Sequence, residues 1–188
     1  MTETIELETP RFKLRKIEPG DIETLHSYWS DDIVTEYMAT SFNALEESKN
    51  MVDLLNSLPE TNEGRRWAIV DKSSGVVLGS CGYHNVKADH KRAEVGYEIG
   101  QKYWGQGVMQ EVMRAVLQHC FETLGFNRIE AFVTAGNSRS VQTLEKLGFK
   151  AEGVLREYEY TKGGFQDQVV LALLRREWKQ GDVRLGDM

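Results

Sequence analysis

The stretch 102-KYWGQGVMQEVMRAVLQHCFETLGF-126 places a glycine pair directly before an amphipathic helix. Apolar residues recur at helical spacing up to Gly125, and a glycine is typical of a helix end. Glycine weakens a helix interior, so two glycines at a helix start need a reason. Free N–H groups at a helix start bind anions, and glycine lets a phosphate approach the backbone closely. The sequence therefore predicts a phosphate cradle made of the amides of Gly105, Gln106, Gly107, Val108 and Met109, with the charge of Lys102 nearby.

A strand–helix turn without a ligand is the alternative interpretation of a lone GxG. The pattern GxxxxGK[ST] is absent from the sequence. The dinucleotide pattern GxGxxG would require a third glycine where Gln110 stands. The choice between a ligand site and a plain turn therefore depends on the elements that surround the glycines.

Composition favours one domain. The chain has 188 residues, of which 40% are hydrophobic and 28% charged, and its net charge is -6. A single domain over residues 1–188, with a core from about 9 to 178, fits this length. An acidic total argues against sequence-independent nucleic-acid binding, and no basic cluster interleaved with aromatic residues occurs.

Location and metal content are also constrained by the sequence. The segment MTETIELETPRF has no apolar core, so we expect no signal peptide, and no apolar run is long enough for a membrane span. Cys81 and Cys120 match no CxxC pattern, and the four histidines form no ligand spacing with them. These features predict a cytoplasmic protein without a metal.

Periodicity and turn residues predict the order β–α–α–β–β–β–α–β–α–β–β. Strands are expected at 11–17, as a hairpin within 66–86, and at 93–100, 128–135, 151–160 and 166–176. Helices are expected at 21–30, 43–58, 106–124 and 137–147. Because hairpins mix with βαβ crossovers, the pattern predicts an α+β fold with a mixed sheet. A loose polar tail is expected after Trp178.

The order of the motifs resembles the GNAT superfamily of acyl-coenzyme A-dependent N-acetyltransferases. These motifs are AEVGYEIG (93–100), QKYWGQG (101–107), RIEAFVTA (128–135), NSRS (137–140) and EKLGF (145–149). The superfamily signature is R/Q-x-x-G-x-G/A, followed by N-x-x-S and K-L-G-F, and Lys102 stands at its first position. The likeness extends from RFKLRKI to LLRREW. Within the superfamily, the chain resembles the branch of bacterial ribosomal-protein N-terminal acetyltransferases.

The resemblance implies a fold and a cofactor. The fold is a mixed, mostly antiparallel twisted sheet of about seven strands, splayed at the cofactor groove, with about four helices. The GxG helix start would bind the pyrophosphate of acetyl-CoA. The backbone of Glu98, Ile99 and Gly100 would pair with the pantetheine arm, whose amides can satisfy a strand edge as a peptide does. Asn137 matches the asparagine that steadies the pantetheine region.

The resemblance also implies direct attack of an amine on the thioester. A backbone N–H near Ile99 would stabilise the oxyanion. The tyrosine that many members use as an acid is replaced by Leu144, and Ser140 matches the serine proposed as its substitute in the ribosomal-protein branch. Glu159 matches the proposed base of that branch, and Asp167 matches a residue that contacts substrate or supports the structure.

The three polar residues also have structural interpretations. Ser140 could support the start of helix 137–147, and Glu159 could be a solvated carboxylate on a strand. Asp167 could be a hydrogen-bond acceptor beside a turn. The sequence leaves both interpretations open for each residue.

Aromatic and imidazole side chains add further candidates. Tyr97 lies on the strand beside the cofactor groove, and Trp29 lies on the first helix near the expected acceptor cleft. Both are candidate substrate contacts, with core packing as the alternative. His84 and His119 are expected to be structural rather than basic.

The leading hypothesis is an enzyme that acetylates a primary amine, the N-terminal α-amine of a protein or peptide. An α-amine has a reference pKa of about 8, against about 10.4 for lysine, so it loses its proton more easily. A small-molecule acetyltransferase for an aminoglycoside, polyamine or amino acid is the first alternative. A CoA-binding module without turnover is the second. The branch resemblance adds the expectation of a homodimer.

Overall fold

The computed structural model describes residues 5–178, which contain eight strands and five α-helices. The strands are β1 Leu7–Glu8, β2 Phe12–Arg15, β3 Arg65–Asp71, β4 Val77–Lys87, β5 Arg92–Ile99, β6 Arg128–Thr134, β7 Lys150–Thr161 and β8 Gly164–Leu174. The helices are α1 Ile22–Trp29, α2 Asp32–Thr35, α3 Leu45–Ser57, α4 Val108–Gln118 and α5 Ser138–Lys146. The polar tail predicted after Trp178 lies outside the described residues.

All eight strands belong to one sheet, in the order β1-β2-β3-β4-β5-β6-β8-β7. Neighbouring strands are antiparallel except β5 and β6, which are parallel. The predicted α+β fold with a mixed, mostly antiparallel sheet is therefore confirmed. The sequence did not predict β1 and α2. They have two and four residues, and elements this short leave no periodic pattern.

The sheet has a hydrophobic core on each face. Side chains alternate along β3, so Trp67 and Ile69 pack with α4 and α5, whereas Ala68 and Val70 pack with α1 and α3. The first core is the larger of the two. The two faces of the sheet are therefore covered by different pairs of helices, and the strands are buried between these two helix layers.

Helix α4 lies against the larger core with the spacing that the sequence predicts. Val112, Met113, Val116 and Leu117 are fully buried along it. The chain then continues as a π-helical turn over His119–Thr123, so the predicted helix 106–124 changes its pitch near its end. Within residues 5–178, no helix has the length and apolar character needed to cross a membrane.

The two parallel strands separate soon after they begin. Residues 92–94 of β5 pair with residues 128–130 of β6. Beyond these pairs, β5 remains bonded to β4 and β6 remains bonded to β8, with a gap between them. The sheet is therefore splayed at this point, as the resemblance implied, and the gap extends from these pairs toward the carboxyl ends of both strands.

Backbone groups of β5 alternate between its two sides. The N–H of Gly100 donates to the carbonyl of Leu78 on the β4 side at 2.9 Å. Because bonded and non-bonded pairs alternate in an antiparallel ladder, Glu98 also directs its backbone groups to β4. Tyr97 and Ile99 direct theirs the other way. Their backbone groups therefore line the gap between β5 and β6.

Candidate active site

A groove of about 1530 Å³ occupies the gap and extends to both faces of the sheet. The N-terminus of α4 lines one end, and side chains from β4, β5 and β7 line the other. Most of the predicted site residues border this groove. These residues are Tyr97, Glu98, Ile99, Gly105, Gln106, Gly107, Val108, Met109, Asn137, Ser140 and Glu159.

The glycines at the start of α4 adopt a backbone conformation that other residues rarely take. Gly105 has φ +74° and Gly107, the N-cap, has φ +72°. The first helical hydrogen bond runs from the Glu111 N–H to the Gly107 carbonyl at 3.2 Å. The N–H groups of Val108 and Met109 precede that bond, so they are available to an anion.

Arg11, which the sequence analysis did not select, extends over the same helix start. Its Nε donates to Glu111 Oε2 at 2.6 Å and its Nη1 to the Gln106 carbonyl at 3.1 Å. Burial alone would raise the pKa of Glu111, but hydrogen bonds from Thr9 and Arg11 outweigh it and lower that pKa. Because Arg11 is about a hundred positions from its partners, no local sequence pattern indicated its role.

Three more cationic side chains, Arg114, Arg139 and Lys146, line the groove from α4 and α5. The Arg139 guanidinium lies 3.5 Å from the centroid of the Trp104 ring. The Trp104 indole N–H donates to the Ile99 carbonyl at 3.0 Å, which confirms that this carbonyl points away from β4. The α4 end of the groove is therefore electropositive, with backbone N–H donors at its base.

Two predicted cofactor residues lie outside the lining of the groove. The Lys102 ammonium lies over the Tyr103 ring, 5.0 Å from its centroid. At Gly100, an added β-carbon would stand 2.5 Å from Cε1 of Tyr28, so this glycine permits close packing of β5 against α1. The alternation along β5 thus places Tyr97 and Ile99, rather than Gly100 or the backbone of Glu98, beside the gap.

Ser140 and Tyr97 form a hydroxyl pair. Ser140 Oγ lies 3.0 Å from the Tyr97 hydroxyl oxygen. The start of α5 is capped by Asn137, whose Oδ1 accepts from the Ser140 N–H at 3.2 Å, so the serine hydroxyl is not needed for capping. Burial raises the pKa of Tyr97 to about 12, and the hydrogen bond with Ser140 offsets only part of the rise. Tyr97 therefore keeps its proton at neutral pH.

The side chain of Glu98 lies on the opposite face of the sheet, where its carboxylate accepts three hydrogen bonds. It accepts hydrogen bonds from Arg66, from the Ser80 hydroxyl, and from the Trp29 indole N–H at 3.1 Å. Trp29 is 3% exposed, packs edge-to-face with Phe42, and does not line the groove. Of the two roles foreseen for Trp29, core packing is the one its position supports, and its polar contact orients Glu98.

Strand β7 supplies the wall of the groove at the end away from α4. Glu159 lines the groove, and its Oε2 accepts from Gln168 Nε2 at 2.8 Å. The ring of Tyr158 stacks on Phe132 of β6, with centroids 5.8 Å apart and planes 13° apart. This wall therefore combines a carboxylate with an aromatic surface.

Asp167 shapes that wall from outside the groove. Its Oδ1 accepts from the Glu157 N–H at 2.8 Å. Glu157 has φ +49° and lies where the register of β7 shifts against β8. The shift is a β-bulge, and bulges re-aim neighbouring side chains. Asp167 thus supports the segment that presents Tyr158 and Glu159 to the groove.

The two cysteines are unsuited to act as nucleophiles. Cys81 and Cys120 are both fully buried. Burial raises the pKa of the Cys81 thiol to about 12 and raises that of Cys120 as well, so neither forms a thiolate readily. In the part of the chain that the structure describes, no group of three or more His, Cys, Asp or Glu side chains is arranged to hold a metal ion.

Comparison with known proteins identifies the family. Residues 11–150 match the family model of the acetyltransferase (GNAT) domain. The chain is 38% identical over 173 residues to the uncharacterized N-acetyltransferase p20 of Bacillus licheniformis, which covers 92% of this chain and 97% of that protein. It is 25% identical over 185 residues to the ribosomal protein uS5-alanine N-acetyltransferase of Escherichia coli, with 94% of each covered. The chain belongs to the GNAT family of N-acetyltransferases, so the predicted resemblance is confirmed.

A solved structure shares the fold. Spermidine N-acetyltransferase from Vibrio cholerae, in complex with CoA and spermine, aligns with a TM-score of 0.77. The alignment covers 89% of this chain and 97% of that one, at 23% sequence identity. The two chains therefore share the same fold.

Proposed function

We propose that the protein transfers the acetyl group of acetyl-CoA to the N-terminal α-amine of a protein or peptide, by direct attack. The opposite charges at the two ends of the groove carry this proposal. The α4 and α5 end has the side chains of Arg114, Arg139 and Lys146, together with Arg11, which is paired with Glu111. The other end has the carboxylates of Glu94, Glu98 and Glu159. An anionic cofactor and a cationic amine would each be attracted to a different end.

The fit of acetyl-CoA rests on the backbone as well as on charge. The amides at the start of α4 and the guanidinium of Arg11 suit a pyrophosphate. The backbone groups of Tyr97 and the N–H of Ile99 suit the amides of a pantetheine arm, which would replace the missing strand contacts. Asn137 borders the same passage and keeps its predicted role in steadying that arm.

The catalytic groups are proposed from their placement around the gap. The N–H of Ile99 is the proposed oxyanion donor, because it points into the gap. Ser140, hydrogen-bonded to Tyr97, is proposed to supply the proton to the leaving thiolate. Glu159 is proposed to meet the incoming amine on the opposite face. The acid and the amine would then approach the thioester from opposite sides of the sheet.

The acceptor class is argued from the amine and from the wall that it would meet. An α-amine loses its proton more easily than a lysine side chain. The stacked pair of Phe132 and Tyr158 offers a surface for the first side chain of a peptide. Similarity to the uS5-alanine N-acetyltransferase supports a ribosomal-protein N-terminus as one such acceptor.

A polyamine is the second candidate acceptor. The carboxylates of Glu94 and Glu159 at the acceptor end would suit two positive charges on one molecule, whereas Glu98 is already paired with Arg66. The fold shared with the spermidine N-acetyltransferase supports this candidate, although the shared fold by itself does not define a substrate.

One assay separates the two acceptors. The protein would be incubated with acetyl-CoA and either a free N-terminal peptide, the same peptide with a blocked N-terminus and a free lysine, or spermidine. We expect thiol release and a mass increase of one acetyl group with the free N-terminal peptide. If only spermidine were acetylated, the acceptor would be a polyamine instead of a peptide. If no amine caused thiol release, the proposed function would be refuted.

Oligomeric state and location complete the proposal. Large apolar side chains are exposed on the β7–β8 hairpin, at Val154, Leu155, Tyr158, Tyr160 and Phe165. Such a surface supports self-association, so a homodimer is proposed, and sedimentation at micromolar concentration should give twice the monomer mass. The unpaired cysteines support the cytoplasmic location that the sequence predicts.

A further inference from the structure

His84 lies on the acceptor face of the sheet with one ring nitrogen held and the other open. It stands on β4 directly opposite Glu94 on β5, and its Nε2 lies 3.5 Å from Glu94 Oε2. The other oxygen of Glu94 accepts from Asn85 Nδ2 at 3.0 Å. Because a carboxylate accepts hydrogen bonds, this arrangement favours the proton on Nε2 and a lone pair on Nδ1.

The open side of the ring faces a space created by a glycine. A β-carbon added to Gly96 would stand 3.4 Å from His84 Cε1 and 3.8 Å from Nδ1. The same position lies 3.1 Å from Arg66 Nη1. Both Gly96 and His84 border the groove. The Nδ1 edge of the ring therefore lies beside Gly96 at the border of the groove, with the Arg66 guanidinium on the same side.

The carboxylates of this face are less suited to remove a proton. Glu98 already accepts from Arg66, Ser80 and Trp29. Burial alone would raise the pKa of Glu94, but hydrogen bonds from His84 and Asn85 outweigh it and lower that pKa, which makes Glu94 a weak base. Glu159 has one oxygen engaged with the amide of Gln168. A neutral imidazole is in general a stronger base than a carboxylate.

We propose that His84, oriented by Glu94, accepts the proton of the attacking amine. The inference rests on the proposed function and assigns one of its steps. The ammonium group of the acceptor first gives one proton to His84 Nδ1. The neutral nitrogen then forms a bond to the acetyl carbon as the carbon–sulfur bond breaks, and its second proton passes to water. The sulfur takes a proton from Ser140, which regains one from water, and the imidazolium returns its proton to water. Glu159 then attracts the cationic amine without removing its proton.

The charges around His84 suit this role. Glu94 stabilises the imidazolium that forms, in the way that a carboxylate supports a catalytic histidine. Arg66 lies nearby, but its charge is compensated by the ion pair with Glu98. On β3 and β5, the charged groups that face the imidazole are therefore Glu94, Arg66 and Glu98. Their sum is one negative charge.

The test compares His84→Gln with His90→Gln in single-turnover reactions with acetyl-CoA and the acceptor peptide. His90 lies in the turn between β4 and β5, is exposed, and does not line the groove. At pH 7 we expect the His84 variant to be slower by about 100-fold, because general bases contribute about 10²–10⁴-fold. The deficit should shrink above about pH 8, where an α-amine loses its proton unaided. His90→Gln should retain the full rate at each pH.

A second variant removes doubt about folding. Imidazole added to the buffer should restore part of the rate of His84→Ala, because a free base can occupy the space beside Gly96. If His84 had only a structural role, added imidazole would leave the rate of His84→Ala unchanged. The dissociation constant of acetyl-CoA should stay unchanged in both His84 variants. A His84→Gln protein with the unmodified rate and pH profile would overturn the inference, as would a 100-fold loss confined to Glu159→Gln. Failure of the unmodified protein to acetylate any amine would instead refute the proposed function.

Discussion

At the residue scale, Gly107 shows how one backbone conformation defines the cofactor end of the groove. Its φ of +72° lets the chain turn into α4 with its N–H groups facing outward. An added β-carbon would stand 3.7 Å from Arg11 Nη2, so the position is open to a small ligand and close to a cation. The glycine therefore makes the turn and, in the proposed function, would give a phosphate access to the backbone.

Gly107→Asp should abolish cofactor binding in a folded protein. Two unit charges 4 Å apart at a protein surface repel by about 4 kcal/mol, so a carboxylate at the helix start would oppose a phosphate. We expect the dissociation constant of acetyl-CoA to rise at least about 100-fold in calorimetry. Gly163→Asp is the control, because Gly163 also has positive φ, +80°, with no atom within 4 Å. Undiminished affinity in a folded Gly107→Asp protein would disprove the site.

Ser140→Ala tests the hydroxyl pair. If Ser140 supplies the proton to the thiolate, the single-turnover rate should fall by about 100-fold while acetyl-CoA affinity holds. Stability should change little, because Asn137 provides the cap. Asn137→Ala should have the converse effect on stability and lower the free energy of unfolding by about 0.5–2 kcal/mol. A normal rate for Ser140→Ala would leave water as the proton source.

At the element scale, the bulge in β7 sets the form of the acceptor wall. Glu157 holds φ +49° there, and its N–H donates to Asp167 on the neighbouring strand. A positive φ is uncommon for a residue with a side chain, so the hydrogen bond has to offset some strain. The presentation of Tyr158 and Glu159 therefore depends on a side chain that does not line the groove.

Asp167→Ala should raise the KM for the acceptor amine several-fold and leave the affinity for acetyl-CoA unchanged. The variant removes the acceptor for the Glu157 N–H, and a lost hydrogen bond of this kind costs about 1 kcal/mol of unfolding free energy. Asp167→Asn keeps a side-chain oxygen at the same place and should behave like the unmodified protein. Steady-state kinetics with varied amine, together with thermal melts, would check both variants.

The elements differ in how far the sequence could predict them. Helix α4 was predictable because its apolar spacing and its glycines agree, and the hairpin between β7 and β8 was predictable from Lys162-Gly163-Gly164. The contact of Arg11 with α4 was not, because it joins residues about a hundred positions apart. The role of Trp29 was decided by tertiary packing, which places its indole N–H on Glu98 rather than in the groove.

At the scale of the whole molecule, the gap between β5 and β6 links ligand binding to the stability of the fold. The two halves of the sheet share three residue pairs along these strands, and the remaining contacts come from the packed helices. A ligand in the gap would bridge the halves through backbone hydrogen bonds. Binding to the folded state alone stabilises it by mass action.

Acetyl-CoA should therefore raise the melting temperature, by an amount that grows with its concentration. At one hundred times the dissociation constant, the gain is about 2.7 kcal/mol. Adenosine alone should have a much smaller effect, since it lacks the pyrophosphate and the pantetheine arm. Scanning calorimetry with each ligand measures the difference, and equal shifts would contradict the assignment of the groove.

The closed end of the gap between β5 and β6 also limits what can enter it. An exposed row of strand donors and acceptors usually invites another polypeptide and leads to aggregation. A polypeptide strand needs about 4.8 Å on each side, over its whole length. Here residues 92–94 of β5 pair with β6 and close one end of the gap, so an incoming chain could pair only beyond these residues. A second strand would have to end there, whereas a slender, flexible cofactor arm would need only part of the length of the gap.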